Sequence, residues 1–340
     1  MAKIFWLVLL CFIHAGAIAD SSLQLASIGD LQLESGETIF DCKIGYRTSG
    51  TLNANKSNVI VMPSWFTGTT EDLLKYKLIG PGKLADTNTY YVISIDALSN
   101  GVSSSPSNSA KQMGANFPAT SVNDMVNSQH IMLTKVLDIH HAKAVIGISM
   151  GGMQTFAWMG LYPDFMDSAV PIDGSPKMTS YDLVQWKTHE AAIQLMQDAN
   201  VNDETIMAFL SSLNQLTLWT PDYFVENIPS KDISAYLINE EQGYAGDDPY
   251  DYLYQLQAMI AHNVFATDNP DRLDYIETVT ADVLVVGVAG DQMVNPTPGR
   301  ALAKSLGATY AEIDSNGGHM GSSLEADTVA TVVNSFLEER

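Results

Sequence analysis

Ser149 stands in Gly147-Ile148-Ser149-Met150-Gly151-Gly152, a Gly-x-Ser-x-Gly pattern whose residue types suit attack on a carbonyl carbon. A serine hydroxyl does that only when a base takes its proton and aimed donors meet the oxyanion. The flanking residues supply a platform. Lys143 to Ile148 reads as a short apolar strand, and Met153, Phe156, Ala157 and Leu161 carry helical spacing until Tyr162-Pro163 stops the run. Small residues at 147 and 151 allow a turn too tight for a neighbouring Cβ, so the hydroxyl is held out over the sheet edge at a helix N-terminus. The five-residue pattern arises by chance in roughly one chain of this length in ten. The competing reading is a glycine-rich turn with a buried serine, and the rest of the chain must decide.

The base is sought among seven histidines. His14 falls in an N-terminal leader, and His130, His140 and His141 lie on or after the helix preceding the Ser149 strand. His189 and His262 fall in a helical segment, where packing explains them. His319 differs, because Asn316-Gly317-Gly318-His319-Met320-Gly321 is a turn directly after a strand, at the sheet edge where the elbow opens. The orienting acid should follow an earlier strand at that edge. Asp291 does so after Val283–Val288, whereas Asp282 begins its strand and Asp314 lies too near the histidine turn. For the oxyanion, Met150 offers one backbone N–H, and the loop Pro63-Ser64-Trp65-Phe66-Thr67-Gly68 offers another, with Phe66 favoured and Trp65 the near alternative. The two aromatic side chains would line an apolar acyl pocket, although core packing accounts for them equally well.

These residues need a parallel sheet to carry them. Leu23–Leu33, Thr38–Thr48, Asn58–Met62 and Tyr90–Ile95 read as strands, and a long Ser/Asn/Gly loop covers 98–120. A helix is expected over Val122–Leu137 and a further strand over Asp167–Ile172. Helical patterns follow at Tyr181–Ala199, Asp203–Leu216 and Tyr250–Val264. The strand pattern resumes at 281–287, followed by a helix over Pro298–Leu306, a strand over Ala308–Ile313 and a last helix over Leu324–Glu338. Alternating strands and helices imply an α/β core with a mainly parallel sheet flanked by helices. The segment division expected is 1–19 leader, 20–174 first part of the core, 175–278 inserted helical cap, and 279–340 second part of the core.

Lys3, the apolar run Ile4–Ile13 and the small-x-small Ala17-Ile18-Ala19 form a signal-peptide pattern, so export and a mature start at Asp20 are expected. The apolar run is short for a membrane span. Cleavage leaves Cys42 as the one cysteine, read as a buried apolar residue. The net charge of −22, falling to −23 once Lys3 departs, argues against nucleic acid and anionic membrane surfaces as partners. The acidic patch Glu240-Glu241 and Asp247-Asp248 lacks calcium-loop spacing and reads as solvated surface. No metal or cofactor is expected, and oligomeric state, a homodimer included, is left open.

Several stretches together resemble the homoserine O-acetyltransferase-like branch of the α/β-hydrolases. They are Tyr46 with Gly50-Thr51-Leu52-Asn53, Ser64 to Gly68, Asn116-Phe117-Pro118 with Asp124-Met125-Val126, Ser149 to Gln154, Tyr162-Pro163-Asp164, Gly290-Asp291 and Gly318-His319. The resemblance implies an α/β-hydrolase fold and an acyl-serine enzyme with Ser149 as nucleophile, Asp291 as orienter and His319 as base. It also implies an acyl-thioester donor and an alcohol acceptor. Three departures bear on that acceptor. Met320 stands where the homoserine enzymes carry an aspartate for the substrate amino group, Asn123 replaces an arginine, and no arginine occurs between Arg47 and Arg272. The expectation is therefore an exported serine hydrolase cleaving a carboxylic ester, with Trp65 and Met320 as substrate contacts. The alternatives are an O-acyltransferase moving acetyl from acetyl-CoA to an alcohol, and a binding protein on a retired hydrolase fold.

Overall fold

The computed structural model describes residues 22–266 and 275–340; the expected leader over 1–19 lies outside the described residues. The central strands are apolar on both faces, and their side chains alternate between two cores, as a period of two demands. Val59 and Val61 pack on one side of the sheet with Val145, Val283 and Val285, while Ile60 and Met62 pack on the other with Ile146, Leu284 and Val286. Residues of this kind are stable only between two helical layers.

In chain order, β1 (Gln24–Gln32) and β2 (Thr38–Ser49) form an antiparallel pair, and β3 (Val59–Pro63) leads to the short helix α1 (Thr70–Lys75). A two-stranded ribbon, β4 (Ile79–Gly80) and β5 (Ala85–Asp86), precedes β6 (Tyr91–Ile95). Then come α2 (Val122–Ile131), extended by a π turn over Met132–Val136, β7 (Ala142–Ile148), α3 (Met150–Leu161) and β8 (Met166–Ile172). Five helices follow: α4 (Ser180–Asp198), α5 (Asp203–Leu218), α6 (Pro221–Asn227), α7 (Ile233–Gly243) and α8 (Pro249–Ala261). The chain returns through α9 (Tyr275–Thr278) to β9 (Asp282–Val288), α10 (Thr297–Leu306), β10 (Thr309–Ile313), α11 (Gly321–Leu324) and α12 (Ala326–Glu338). The eight-stranded sheet has the order β1-β2-β6-β3-β7-β8-β9-β10. Only the pairings of β2 with β1 and β6 are antiparallel, so β3 and β6 to β10 all open at one edge. This is the α/β-hydrolase arrangement.

Most elements fall within a residue or two of their sequence positions, and the exceptions have physical causes. Helices α6 and α7 bury no residue, so no apolar stripe marks them in the sequence. Helix α1 has six residues and rests on a capping box between Thr69 and Asp72. The single last helix expected over Leu324–Glu338 is two, because Glu325 at φ −100° and ψ 32° ends α11 and starts α12. No described helix is long and apolar enough to cross a membrane.

Candidate active site

Ser149 joins β7 to α3 with φ 57° and ψ −121°, a left-handed φ that a non-glycine residue adopts only where its surroundings enforce it. The enforcement is visible. The Ser149 amide donates to the Ile172 carbonyl at 2.8 Å, tying the elbow to the end of β8. A Cβ on Gly147 would lie 2.0 Å from the Gly151 carbonyl oxygen, and one on Gly151 would lie 2.7 Å from the Pro63 carbonyl oxygen. Both contacts are with backbone, which cannot step aside, so glycine is required at both positions.

His319 sits on a 3-10 turn, Gly318–Met320, after β10, and Asp291 follows β9. The structure brings both to Ser149. The serine hydroxyl faces His319 Nε2 at 2.8 Å, and His319 Nδ1 faces Asp291 Oδ2 at 2.7 Å. The second oxygen of Asp291 accepts the amides of Met293 at 2.8 Å and Val294 at 2.9 Å, which fixes the carboxylate's plane. The Asp291 side chain is 1% exposed and that of His319 8%. Burial alone would lower the His319 pKa. The Asp291 carboxylate, helped by Asp173 and Asp182, overrides that and raises it. With Nδ1–H donated to Asp291, Nε2 is left as the proton acceptor toward the hydroxyl.

Met150 is the first residue of α3, and its amide has no acceptor among the described residues. Phe66 lies in the loop after β3. In that loop the Ser64 amide is bonded to Ile95, that of Gly68 to Trp65 and that of Thr67 to the Gln255 side chain, leaving those of Trp65 and Phe66 without an acceptor among the described residues. Gln154 of α3 bonds the Ser64 carbonyl at 3.0 Å and is held by Gln129, which also takes the Trp158 indole N–H. This buried chain fixes the loop to the helix that carries the nucleophile. The Phe66 ring meets Tyr252 of α8 at 4.6 Å and Trp186 of α4 at 5.7 Å. Trp65 is placed differently: its indole covers Gly68 and faces Tyr76 at 5.9 Å, apart from the aromatic group beneath the inserted helices. Met320 follows His319 in the same turn and is partly exposed.

The inserted helices reach the site at two places. The α5–α6 elbow rests on the histidine turn, where Thr220 Oγ1 donates to the Asn316 carbonyl and Glu226 accepts from the Asn316 side chain at 3.1 Å. Helix α4 lies alongside through Asp182, whose carboxylate accepts the Asn295 amide at 3.0 Å beside the Asp291 loop. Two acids escaped the sequence reading. Asp182 is hidden because it sits on a helix face. Asp173 had a legible signal, since it follows β8 at the same edge and so meets the criterion that singled out Asp291. Among the described residues no group of three or more His, Cys, Asp or Glu side chains could hold a metal ion. In the acidic patch of the insertion, Asp247 is exposed.

Comparison with known proteins is consistent across sequence and shape. Residues 68–326 match the family described as alpha/beta hydrolase fold. A protein named as a probable esterase in Corynebacterium glutamicum is 38% identical over 173 residues, a stretch covering 50% of this chain and 49% of that protein. The chain thus spans about half the length of that relative. A homoserine O-acetyltransferase of Methanosalsum zhilinae is 28% identical over 357 residues, covering 91% of this chain and 71% of the other. The crystal structure of an acetylester hydrolase from Corynebacterium glutamicum superposes with a TM-score of 0.84 at 26% identity, covering 94% of this chain and 95% of that one.

Proposed function

The chain belongs to the α/β-hydrolase fold family, in its homoserine O-acetyltransferase-like branch, and from that premise we propose that it is a serine esterase working through an acyl-Ser149 intermediate. Its relatives support action on esters or related acyl transfer. The observation behind the acyl-Ser149 reading is the continuous line Asp291–His319–Ser149, with separations of 2.7 and 2.8 Å. In this reading His319 Nε2 takes the hydroxyl proton as Oγ bonds to the ester carbon. The Met150 and Phe66 amides receive the oxyanion, and the proton passes to the departing alkoxide. Water then attacks the acyl-enzyme, again losing its proton to His319, and the carboxylic acid leaves as Ser149 regains its hydrogen.

Water is favoured over homoserine as acceptor on charge grounds. Homoserine brings an ammonium and a carboxylate, and burying either unpaired costs several kcal/mol. Met320 offers no anion to the ammonium. Arg47 is engaged by Glu71, Arg300 by Glu312 and Arg340 by Asp282, while Lys187 pairs with Glu190 and Lys177 lies over the Phe265 ring. The similarity to an acetylester hydrolase supports a short acyl group. Export, with a mature start at Asp20, belongs to the same proposal and rests on the leader pattern alone.

The test supplies short acyl esters and acetyl-CoA, with and without millimolar homoserine, and follows free acid against O-acylhomoserine. Free acid should dominate, homoserine should serve no better than a simple alcohol, and Ser149→Ala or His319→Ala should each lose several orders of magnitude of activity while staying folded. Dominant O-acetylhomoserine would restore the transferase reading. An active Ser149→Ala enzyme would remove the acyl-serine mechanism altogether.

A further inference from the structure

Asp173 is a deeply buried acid beside the site that the mechanism above leaves unused. It follows β8, next to β9, and Asp291 follows β9 at the same edge. Its amide donates to the Val286 carbonyl at 3.0 Å, and its φ of +46° is another left-handed value enforced on a non-glycine residue. It is 4% exposed, yet neither carboxyl oxygen has a hydrogen-bond partner among the described residues. Burying a carboxyl without partners is costly enough that structure alone seldom retains it. Asp173 and Asp291 line one small cavity, about 10 Å³, together with Tyr310, whose phenol oxygen is also buried and unpartnered.

The groups that act on this carboxyl come from each neighbouring element. Asp291 stands after β9, His319 after β10, Tyr310 within β10, and Ser322 on α11. Burial, then the Asp291 charge, pushes Asp173 up to about 7; the His319 charge draws it down, as do the Ser322 hydroxyl and the Val288 backbone, which lie nearby without meeting hydrogen-bond geometry. Two carboxyls this close share a proton more readily than they carry two charges. Asp173 therefore keeps its proton well above the usual carboxylate range, up to about 7, beside the Asp291 carboxyl that faces the imidazole. Removing the charge of Asp291 removes the like-charge repulsion on Asp173, which lowers the pH at which Asp173 ionises, while burial still opposes its charge.

We propose that Asp173 is a positioning residue of the site, a second acid beside Asp291 that takes over the stabilising negative charge when Asp291 does not supply it. The proposal rests on the acyl-serine reading, but its test does not share that reading's outcome. The experiment is a double-mutant cycle on ester hydrolysis with Asp173→Asn and Asp291→Asn, with thermal unfolding used to verify that each protein is folded. Asp173→Asn alone should cost less than about tenfold in kcat/KM, because Asp291 still serves. In the Asp291→Asn enzyme the same change should cost at least tenfold more than it does in the wild type. The residual activity of Asp291→Asn should also rise with pH through the range where Asp173 ionises, and that rise should vanish in the double variant, which a merely structural aspartate would not cause. Asp291→Asn without measurable hydrolysis, or a smaller difference between the two backgrounds, overturns the proposal. Should Ser149→Ala remain active, the acyl-serine reading falls, whatever the cycle gives.

Discussion

At the scale of single residues, the site turns on the protonation of one imidazole. Neutral His319 is the form that can accept the Ser149 proton, so protonation marks the acid limb of the rate profile. Burial opposes the imidazolium, but Asp291 at 2.7 Å outweighs it and raises the pKa above its ordinary value. The sign follows directly. A raised pKa means the base is still protonated at a pH where a free histidine, at about 6.5, is half neutral. The acid limb of kcat/KM should therefore lie above that value in the wild type and move down in Asp291→Asn, alongside a large fall in rate. A pH profile with a neutral ester substrate measures both. A wild-type limb below pH 6 would mean that burial wins and that the Asp291 charge does not reach the imidazole as the geometry implies.

At the scale of elements, the site is a set of strand ends covered by one elbow of the insertion. The strands were legible because each is a near-continuous apolar run, and the elbow at Ser149 because tight backbone approaches leave only glycine at 147 and 151. Asp182 was not legible, since the buried stripe of α4 is Asp182, Trp186, His189 and Ile193, and apolar periodicity passes over a stripe so rich in polar groups. The contact of Leu218-Trp219-Thr220 with the histidine turn was not legible either, because nothing local in either segment announces the other. That contact makes a prediction. Gly318 has φ +63°, and a Cβ there would meet the Thr220 amide nitrogen at 2.9 Å and the Leu218 carbonyl oxygen at 3.1 Å. Neither can yield as a side chain would, so Gly318→Ala should displace the turn that carries His319. We expect about 1–3 kcal/mol of destabilisation, typical of overpacking, with kcat/KM reduced at least tenfold. Thermal unfolding and ester kinetics on the same preparation check it, and an unchanged rate would show that the elbow yields without moving the imidazole.

At the scale of the whole molecule, acidification pulls stability in two directions. Burial pushes Asp251 up to about 6 and, with the Asp291 charge, Asp173 to about 7. Acids of this kind bind protons more tightly folded than unfolded, so they add stability as pH falls from neutrality toward their ordinary range. Two histidines oppose them. His189 on α4 and His262 after α8 are buried, with Nε2 unpartnered, and burial lowers each to about 4. Folded, they stay neutral; unfolded, they take up protons below about 6.5. Their contribution is therefore lost progressively as pH falls from about 6.5 through about 4, approaching roughly 3 kcal/mol for each at the acid end. The net profile of the wild type mixes both effects, but a difference separates them. His189→Phe keeps ring packing against Trp186 at 5.3 Å, and His262→Gln keeps a neutral polar group. Urea unfolding of wild type and the double variant should give curves that diverge on acidification, the variant gaining relative stability from pH 6.5 downward and none between pH 7 and 8. Parallel curves across that window would mean that the two imidazoles reach water in the folded protein and that the insertion is looser than its packing indicates.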